Sequence, residues 1–316
     1  MAPAWLLTAI KGFCMGAADI VPGVSGGTVA LIFSIYERLV HNVETGAKAL
    51  GSLAKGSPSG FADGLRRVQW TFLVPLLAGI LTAIALLSSV IEGLLHDRPE
   101  EMAGLFFGLV LGSIVVAWSM PERWNSQLGL ILGFSAVLVF VSLGFQSGPA
   151  SDPALLAYFG AGAIAICAMI LPGISGSFLL LMMGMYGAVL GAVHDRDIAV
   201  LAVFGLGTIV GLALFSTALG WLLDQHHDSL LAALIGLMVG SLRVLWPWPN
   251  GVGILGDDET EPISGTGLEL PSPDQIALPV ILGLVAFGLV VGVNQIAKRS
   301  SHDSPRRLGE TRTVGG

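Results

Sequence analysis

The sequence predicts an all-α polytopic membrane protein made of two inverted-topology repeats, each a broken or re-entrant helical hairpin followed by three transmembrane helices. Three observations lead there. The chain is 53% hydrophobic with a mean hydropathy of +0.80. Its 12% of charged residues gather in a few short stretches. The apolar runs between those stretches recur in the same order twice.

Water cannot be the solvent for most of such a surface. The runs reach about 20 residues, the length that crosses ~30 Å of hydrocarbon at a 1.5 Å rise per residue. They fall as a broken segment near 4–40 and spans at 71–95, 102–120 and 127–146, then a second broken segment near 153–193 and spans at 198–223, 229–247 and 277–297. The first repeat is therefore 1–150, with a polar loop at 41–69, and the second is 151–297, with an acidic loop at 248–275. The basic tail 298–316 and the 250–275 stretch have the composition of mobile segments. Met1 to Lys11 lacks the features of a cleaved signal peptide, so the first segment is expected to stay in the mature chain.

The duplication is visible residue by residue. Val21-Pro22-Gly23-Val24-Ser25-Gly26-Gly27 matches Leu171-Pro172-Gly173-Ile174-Ser175-Gly176-Ser177 at an offset of 150, which Tyr36 and Tyr186 keep. Gly79, Gly108, Gly112, Ser113, Trp118 and Pro121 match Gly207, Gly236, Gly240, Ser241, Trp246 and Pro249 at an offset of 128, the shift being absorbed by the 41–69 loop.

Basic residues near span ends set the orientation. Arg38, Lys48, Lys55, Arg66 and Arg67 place 41–69 in the cytoplasm, and Lys298, Arg299, Arg306, Arg307 and Arg312 place the tail there, so both termini are expected to be cytoplasmic. Asp257, Asp258, Glu259 and Glu261 put the 248–275 loop outside. The parity closes only if 153–193 returns to the side it entered, either as a re-entrant hairpin or as two full antiparallel helices. Arg196, in a turn expected outside, runs against this, softened by Asp195 and Asp197 beside it.

Pro-Gly ends a helix, and in hydrocarbon the freed backbone groups are tolerated only where protein or water shields them. The next helix starts near Ser25 or Ser175, whose hydroxyl is expected to cap it, and its N–H groups and dipole make an anion site. Gly23, Ser25, Gly26, Gly27 and Thr28, with Gly173, Ser175, Gly176 and Ser177, are thus the candidate binding residues. The competing reading makes both motifs packing bends lined with small residues. Asp19 lies inside the first broken segment, and its counterpart is Met169. An intramembrane carboxylate suggests a proton carrier, against a bracing role on nearby amides. Glu37 and Arg38 fall near the cytoplasmic surface, as a local pair or as an anchor. Arg243, near an outer span end, reads as a headgroup attractor or a snorkelling anchor, and Lys11 as an anchor. Trp246 and Trp248 read as an interfacial aromatic belt.

Cys14 and Cys167 sit in apolar stretches, where thiols pack as small hydrophobes, and the six histidines have no ligand spacing. No metal, cofactor, catalytic residue or nucleic-acid partner is expected. The chain carries no clustered Lys, Arg and His set and no nucleophile beside a base, which disfavours an enzyme such as a lipid phosphatase. A transporter is the expectation, with a small soluble anion as one class of cargo.

Lys11-Gly12-Phe13, Met15 through Thr28, and Ile35-Tyr36-Glu37-Arg38, with a second signature from Leu171 to Ser177 and Met185-Tyr186-Gly187, resemble the bacterial polyprenyl-phosphate transporter family over about residues 5–297. The resemblance implies translocation of undecaprenyl phosphate from the outer to the inner leaflet of the cytoplasmic (inner) membrane, for reuse in cell-envelope synthesis. The residues themselves lead to an anion cradle at the midplane of an inverted repeat, compatible with a phosphate headgroup whose tail stays in hydrocarbon.

Overall fold

The computed structural model describes residues 3–21, 24–144, 150, 153–248 and 268–302. Gly23, most of the 248–275 loop and the tail beyond 302 lie outside the described residues. Among the described residues the chain forms thirteen helices and no strand. The first half holds α1 (Ala4–Asp19), α2 (Gly26–Ile32), α3 (Tyr36–Ala54), α4 (Pro58–Arg67), α5 (Trp70–Asp97), α6 (Pro99–Ala117) and α7 (Ser126–Ser142). The second holds α8 (Leu155–Ile170), α9 (Gly176–Met182), α10 (Tyr186–His194), α11 (Ile198–Gln225), α12 (His227–Ser241) and α13 (Ala277–His302).

α5, α6, α11 and α13 are long and apolar enough to cross a membrane, and a fifth crossing is counted only if α9 and α10, which meet at 108°, are joined. α7 and α12, with 17 and 15 residues, end before the apolar runs at 127–146 and 229–247 do. Leu81, Leu130, Phe134, Leu214 and Leu284 stand at least 65% exposed, a costly surface in water and an ordinary one against lipid. α6 and α12 are buried along most of their length and form the centre.

Glycine sets the helix pairing. A side chain at Gly12 or Gly16 would strike the backbone of Leu76 or Ile80, and one at Gly79 that of Ala9, so α1 runs parallel to α5 in direct backbone contact. Gly207 and Gly211 meet Phe159 and Ala163, laying α8 along α11 in the same sense. Gly104 and Gly108 on α6 meet Pro279 and Gly283 on α13, and Gly236 and Gly240 on α12 meet Leu132 and Ala136 on α7. Each close approach gains dispersion contacts that a larger residue would forbid, which matters where lipid removes the hydrophobic drive between helices.

Lys11 Nζ, midway along α1, donates to Phe33 O just past α2 at 3.2 Å, so α2 turns back beside α1. Seven residues of α2 or of α9 reach about 10 Å, too short for a full crossing. Both short helices close identically. Ile35 N donates to Ala30 O and Ser34 N to Leu31 O, as Met185 N does to Leu180 O and Gly184 N to Leu181 O. Ser34 and Gly184 carry the left-handed residue of this helix-ending motif, with φ of 52° and 69°.

The polar 41–69 stretch is not a loop but the helical hairpin α3–α4. Its polar composition belongs to amphipathic helices, with Ser57 capping α4 through Gly60 N and Pro58 opening it. α3 turns Val40 and Glu44 inward, and Glu44 rests against Gly220 of α11. Arg196, with φ of 56°, occupies the tight turn before α11, which Asp197 caps by accepting from Ala199 N and Val200 N.

Candidate functional site

The two broken segments bring their tips together. Ser25 enters α2 in extended backbone, so its Oγ accepts from Gly27 N at 3.1 Å while donating to Met169 O of α8 at 3.2 Å. Thr28 Oγ1 accepts from Gly173 N of the second tip at 2.9 Å. Asp19, the last residue of α1, reaches seven residues forward to accept from Gly26 N at 2.6 Å. The start of α2 therefore holds a carboxyl oxygen, supplied by the chain itself. A side chain at Gly27 would come within 2.8 Å of Ile170 O, so this glycine is what lets α2 seat on the end of α8. The positive end of one short helix thus meets carbonyls at the negative end of a longer one.

The second tip is finished differently. Gly173, at φ +87°, packs against Met238 and Ser241 of α12. Ser175 does not cap α9 as expected, because its Oγ pairs with Ser177 Oγ at 2.8 Å. Gly176 lies against Ala165 and Met169, as Gly26 lies against Asp19. Ser25, Thr28 and Ser175 are buried, and Ser177 is exposed. A cavity of about 100 Å³ adjoins the junction, lined among others by Asp19, Gly26, Gly27, Val40, Met169 and Ser216. It has room for a few water molecules. Ser216, fully buried on α11, carried no signal in the sequence, since nothing marks it off from other small residues of an apolar helix.

Asp19, Ser25, Gly26, Gly27, Thr28 and Gly173 are brought together, with Ser175, Gly176 and Ser177 at the start of α9 beyond them. Glu37, Arg38 and Arg243 are elsewhere. Glu37 does not pair with Arg38: its carboxylate faces His227 Nε2 at 3.0 Å. Arg38 Nε donates to Gln69 Oε1 at 2.7 Å, and its guanidinium lies 4.2 Å from the Phe72 ring centroid, bracing α3 to α5. Around Glu37 a surface cluster joins the halves. His41 Nε2 faces Asp224 Oδ1 at 3.1 Å and its Nδ1 faces Glu37 O at 2.8 Å, while Asp228 Oδ1 accepts from Glu122 N. The Glu37 carboxylate holds His227 above the ordinary histidine range. For His41 partial burial pulls downward, and the bonds to Glu37 O and Asp224 outweigh it, so it too is raised.

Arg243 sits past the far end of α12. Its Nη1 donates to Phe140 O at 2.9 Å, where α7 ends, and the guanidinium lies 4.9 Å from the Phe140 ring centroid. Trp246 Nε1 donates to Glu269 O, but Trp248 is buried rather than part of an exposed belt, because it folds against Trp246 and the groove beside α6 and α13.

Discontinuous helices meeting in the middle of an apolar bundle define a multi-pass helical membrane protein with a polar junction at its core. The chain belongs to the VCA0040-like, undecaprenyl phosphate translocase-like family, whose profile matches residues 15–262. It is 38% identical over 306 residues to a polyprenyl-phosphate transporter of Vibrio cholerae, covering 93% of this chain and 98% of that one. It is 30% identical over 255 residues to a polyprenyl-phosphate transporter of Staphylococcus aureus, covering 75% and 85%. Both relatives are named as transporters, not enzymes. No solved structure matches the chain significantly.

Proposed function

We propose that this protein moves a polyprenyl phosphate, undecaprenyl phosphate in particular, from the outer to the inner leaflet of the bacterial cytoplasmic membrane, returning the carrier for envelope synthesis. The 38% identity to a named polyprenyl-phosphate transporter over nearly the whole chain carries the substrate class. The repeats are 1–150 and 151–297, inverted about the tip junction and rocking between inward and outward access. Supporting this, the start of α5 lies near α3 through Asn42 Oδ1, which accepts from Gln69 N, while the end of α11 lies near the same helix through His41 and Asp224. α5 and α11 therefore run in opposite directions.

In this reading the lipid phosphate takes the place that Asp19 holds on the start of α2, with Gly23, Ser25, Gly26, Gly27 and Thr28 on one side and Gly173, Ser175, Gly176 and Ser177 on the other. Asp19, displaced, takes a proton and couples the step to proton entry. That Asp19 already places a carboxylate oxygen on Gly26 N supports the chemistry, since a phosphate oxygen makes the same bond. Glu37 and Arg38 serve at the cytoplasmic exit and Arg243 at the outer entrance.

The experiment is leaflet-to-leaflet movement of polyprenyl phosphate by purified protein in proteoliposomes. Wild-type protein is expected to catalyse it and Ser25→Trp to stop it. Strong competition by a phosphate compound without a tail would turn the reading toward a soluble anion, and released inorganic phosphate would turn it toward a lipid phosphatase.

A further inference from the structure

Between α6 and α13 the protein carries a groove of about 360 Å³ with almost wholly apolar walls, among them Phe107, Leu111, Trp246, Trp248, Leu284 and Phe287. Its floor exists because Gly104 and Gly108 let the two helices touch at Pro279 and Gly283. Its rim residues Leu111 and Leu284 are 38% and 65% exposed, so it opens sideways, toward lipid rather than toward water. A second cavity of about 360 Å³ shares Phe107 and Trp246 with it and contains Arg243 and Glu269. Phe107 and Trp246 meet edge to face at 6.0 Å, the shared wall between an apolar lobe and a charged one. Any side chain at position 144 would come within 2.8 Å of the Arg243 guanidinium, so Gly144 keeps room for that group at the end of α7.

We propose that these adjacent lobes are the outer-leaflet loading site, with the isoprenoid tail of the transported lipid in the α6–α13 groove and its phosphate drawn past the Phe107–Trp246 wall to Arg243. The proposal rests on the reading of the chain as a polyprenyl-phosphate transporter. The occupant is chosen by complementarity at both ends. A small soluble anion would leave the apolar lobe unfilled, and a peptide would bring backbone groups to a wall without hydrogen-bond partners for them. An amphiphile with one negative head and an unsaturated, branched tail fits both lobes, its flat isoprene units against aromatic rings. Glu269 lines the same lobe and stands against the anion, while Arg243, already donating to Phe140 O, is the cation among the described lining residues. Sideways opening lets the tail enter without leaving hydrocarbon.

The test uses the full chain in proteoliposomes with undecaprenyl phosphate bearing a diazirine in its tail. After illumination, adducts are expected on the 107–111 and 284–287 stretches, suppressed by unlabelled lipid but not by inorganic phosphate or phospholipid. Leu111→Trp and Leu284→Trp fill the groove from its rim without touching the glycine contacts. Each is expected to weaken apparent affinity for the long-chain lipid by about tenfold, with thermal stability unchanged and with less effect on a short-chain prenyl phosphate. Arg243→Gln should weaken binding of both chain lengths alike. Adducts spread over the whole lipid-facing surface or concentrated between 249 and 267, equal labelling by a diazirine phospholipid, or wild-type affinity in both tryptophan variants would overturn the site. If the wild-type protein moves no polyprenyl phosphate at all, the underlying reading fails as well, and that result needs no variant to be seen.

Discussion

At the first hairpin tip a carboxylate closes the turn, and at the second a thioether occupies the matching place. Asp19 accepts from Gly26 N, whereas Met169 lies against Gly176 by van der Waals contact alone and offers its own carbonyl to Ser25. Thr28 carries a hydroxyl to the opposite tip, where position 178 has a fully buried phenylalanine. The backbone plan is shared, but polar chemistry is concentrated in the first tip and packing in the second. One tip thus gathers the hydrogen-bonding groups while the other packs against α12 through Gly173. Exchanging residues between the copies tests this division.

The largest effect is expected from Gly27→Ser, which gives the first tip the residue found at position 177. There a side chain is exposed and harmless; at 27 it would meet Ile170 O at 2.8 Å and push α2 off α8. Displacing a binding group by about 1 Å is enough to cost ~100-fold in rate, so transport should fall at least that far, while Ser177→Gly stays near wild type. Equal rates for the two variants in the proteoliposome assay would erase the asymmetry.

Next comes Asp19→Met, which copies the second tip into the first. Gly26 N loses its acceptor, and a buried unpaired amide costs about 1–3 kcal/mol. Thermal unfolding should shift downward and transport should be lost. Asp19→Asn keeps an acceptor oxygen, so the fold should hold while transport ceases to respond to an imposed proton gradient. A gradient response as strong as wild type in Asp19→Asn would remove the carboxylate from the coupling step.

The sequence carried much of this scaffold and less of its chemistry. Helix breaks, the offset of 150 and the apolar bundle follow from proline, glycine and hydropathy, which act locally. The same local logic placed a cap at Ser175, where Ser177 took the hydroxyl instead. It offered Arg38 as one local partner for Glu37, although the carboxylate faces His227, 190 residues away. Contacts such as Ser25 to Met169 join residues 144 apart and leave no trace in periodicity or composition. The α3–α4 hairpin passed for a loop because an amphipathic helix with one exposed face can be as polar as a loop.

The exits from the two tips differ as well, and here the expected effect is moderate. α3, leaving the first, is tied to α11 and α12 by His41–Asp224 and His227–Glu37, whereas α10, leaving the second, has no ion pair among the described residues. Each histidine presents both ring nitrogens to acceptors, and Glu44 adds a further negative charge near His41, an arrangement suited to the charged ring. Both histidines are raised above the ordinary value. Their contribution is therefore fully present below the unfolded histidine pKa of about 6.5 and is lost as pH rises through the raised folded values. Amide exchange in α3 should be slower near pH 6 than near pH 8.5, after correction for intrinsic rates. The His41→Gln, His227→Gln double variant should show no such difference, and α10 should be indifferent to pH in either protein.

The smallest effect is expected where the copies are closest, at the left-handed residue that ends each short helix. Ser34 and Gly184 make the same pair of closing hydrogen bonds through their own and the following amides, yet only one of them is glycine. A side chain at φ near +52° is crowded against the backbone, a strain of roughly 1 kcal/mol that glycine does not feel, partly offset by the larger freedom glycine has when unfolded. Ser34→Gly should therefore stabilise the protein by about 0.5 kcal/mol and Gly184→Ser should destabilise it by about 1 kcal/mol. Ser34 is exposed, so neither its packing nor a buried hydrogen bond opposes the gain. A Ser34→Gly variant that unfolds at lower temperature than wild type would mean that the serine hydroxyl holds the closing turn, and that the two copies differ even where their backbones agree.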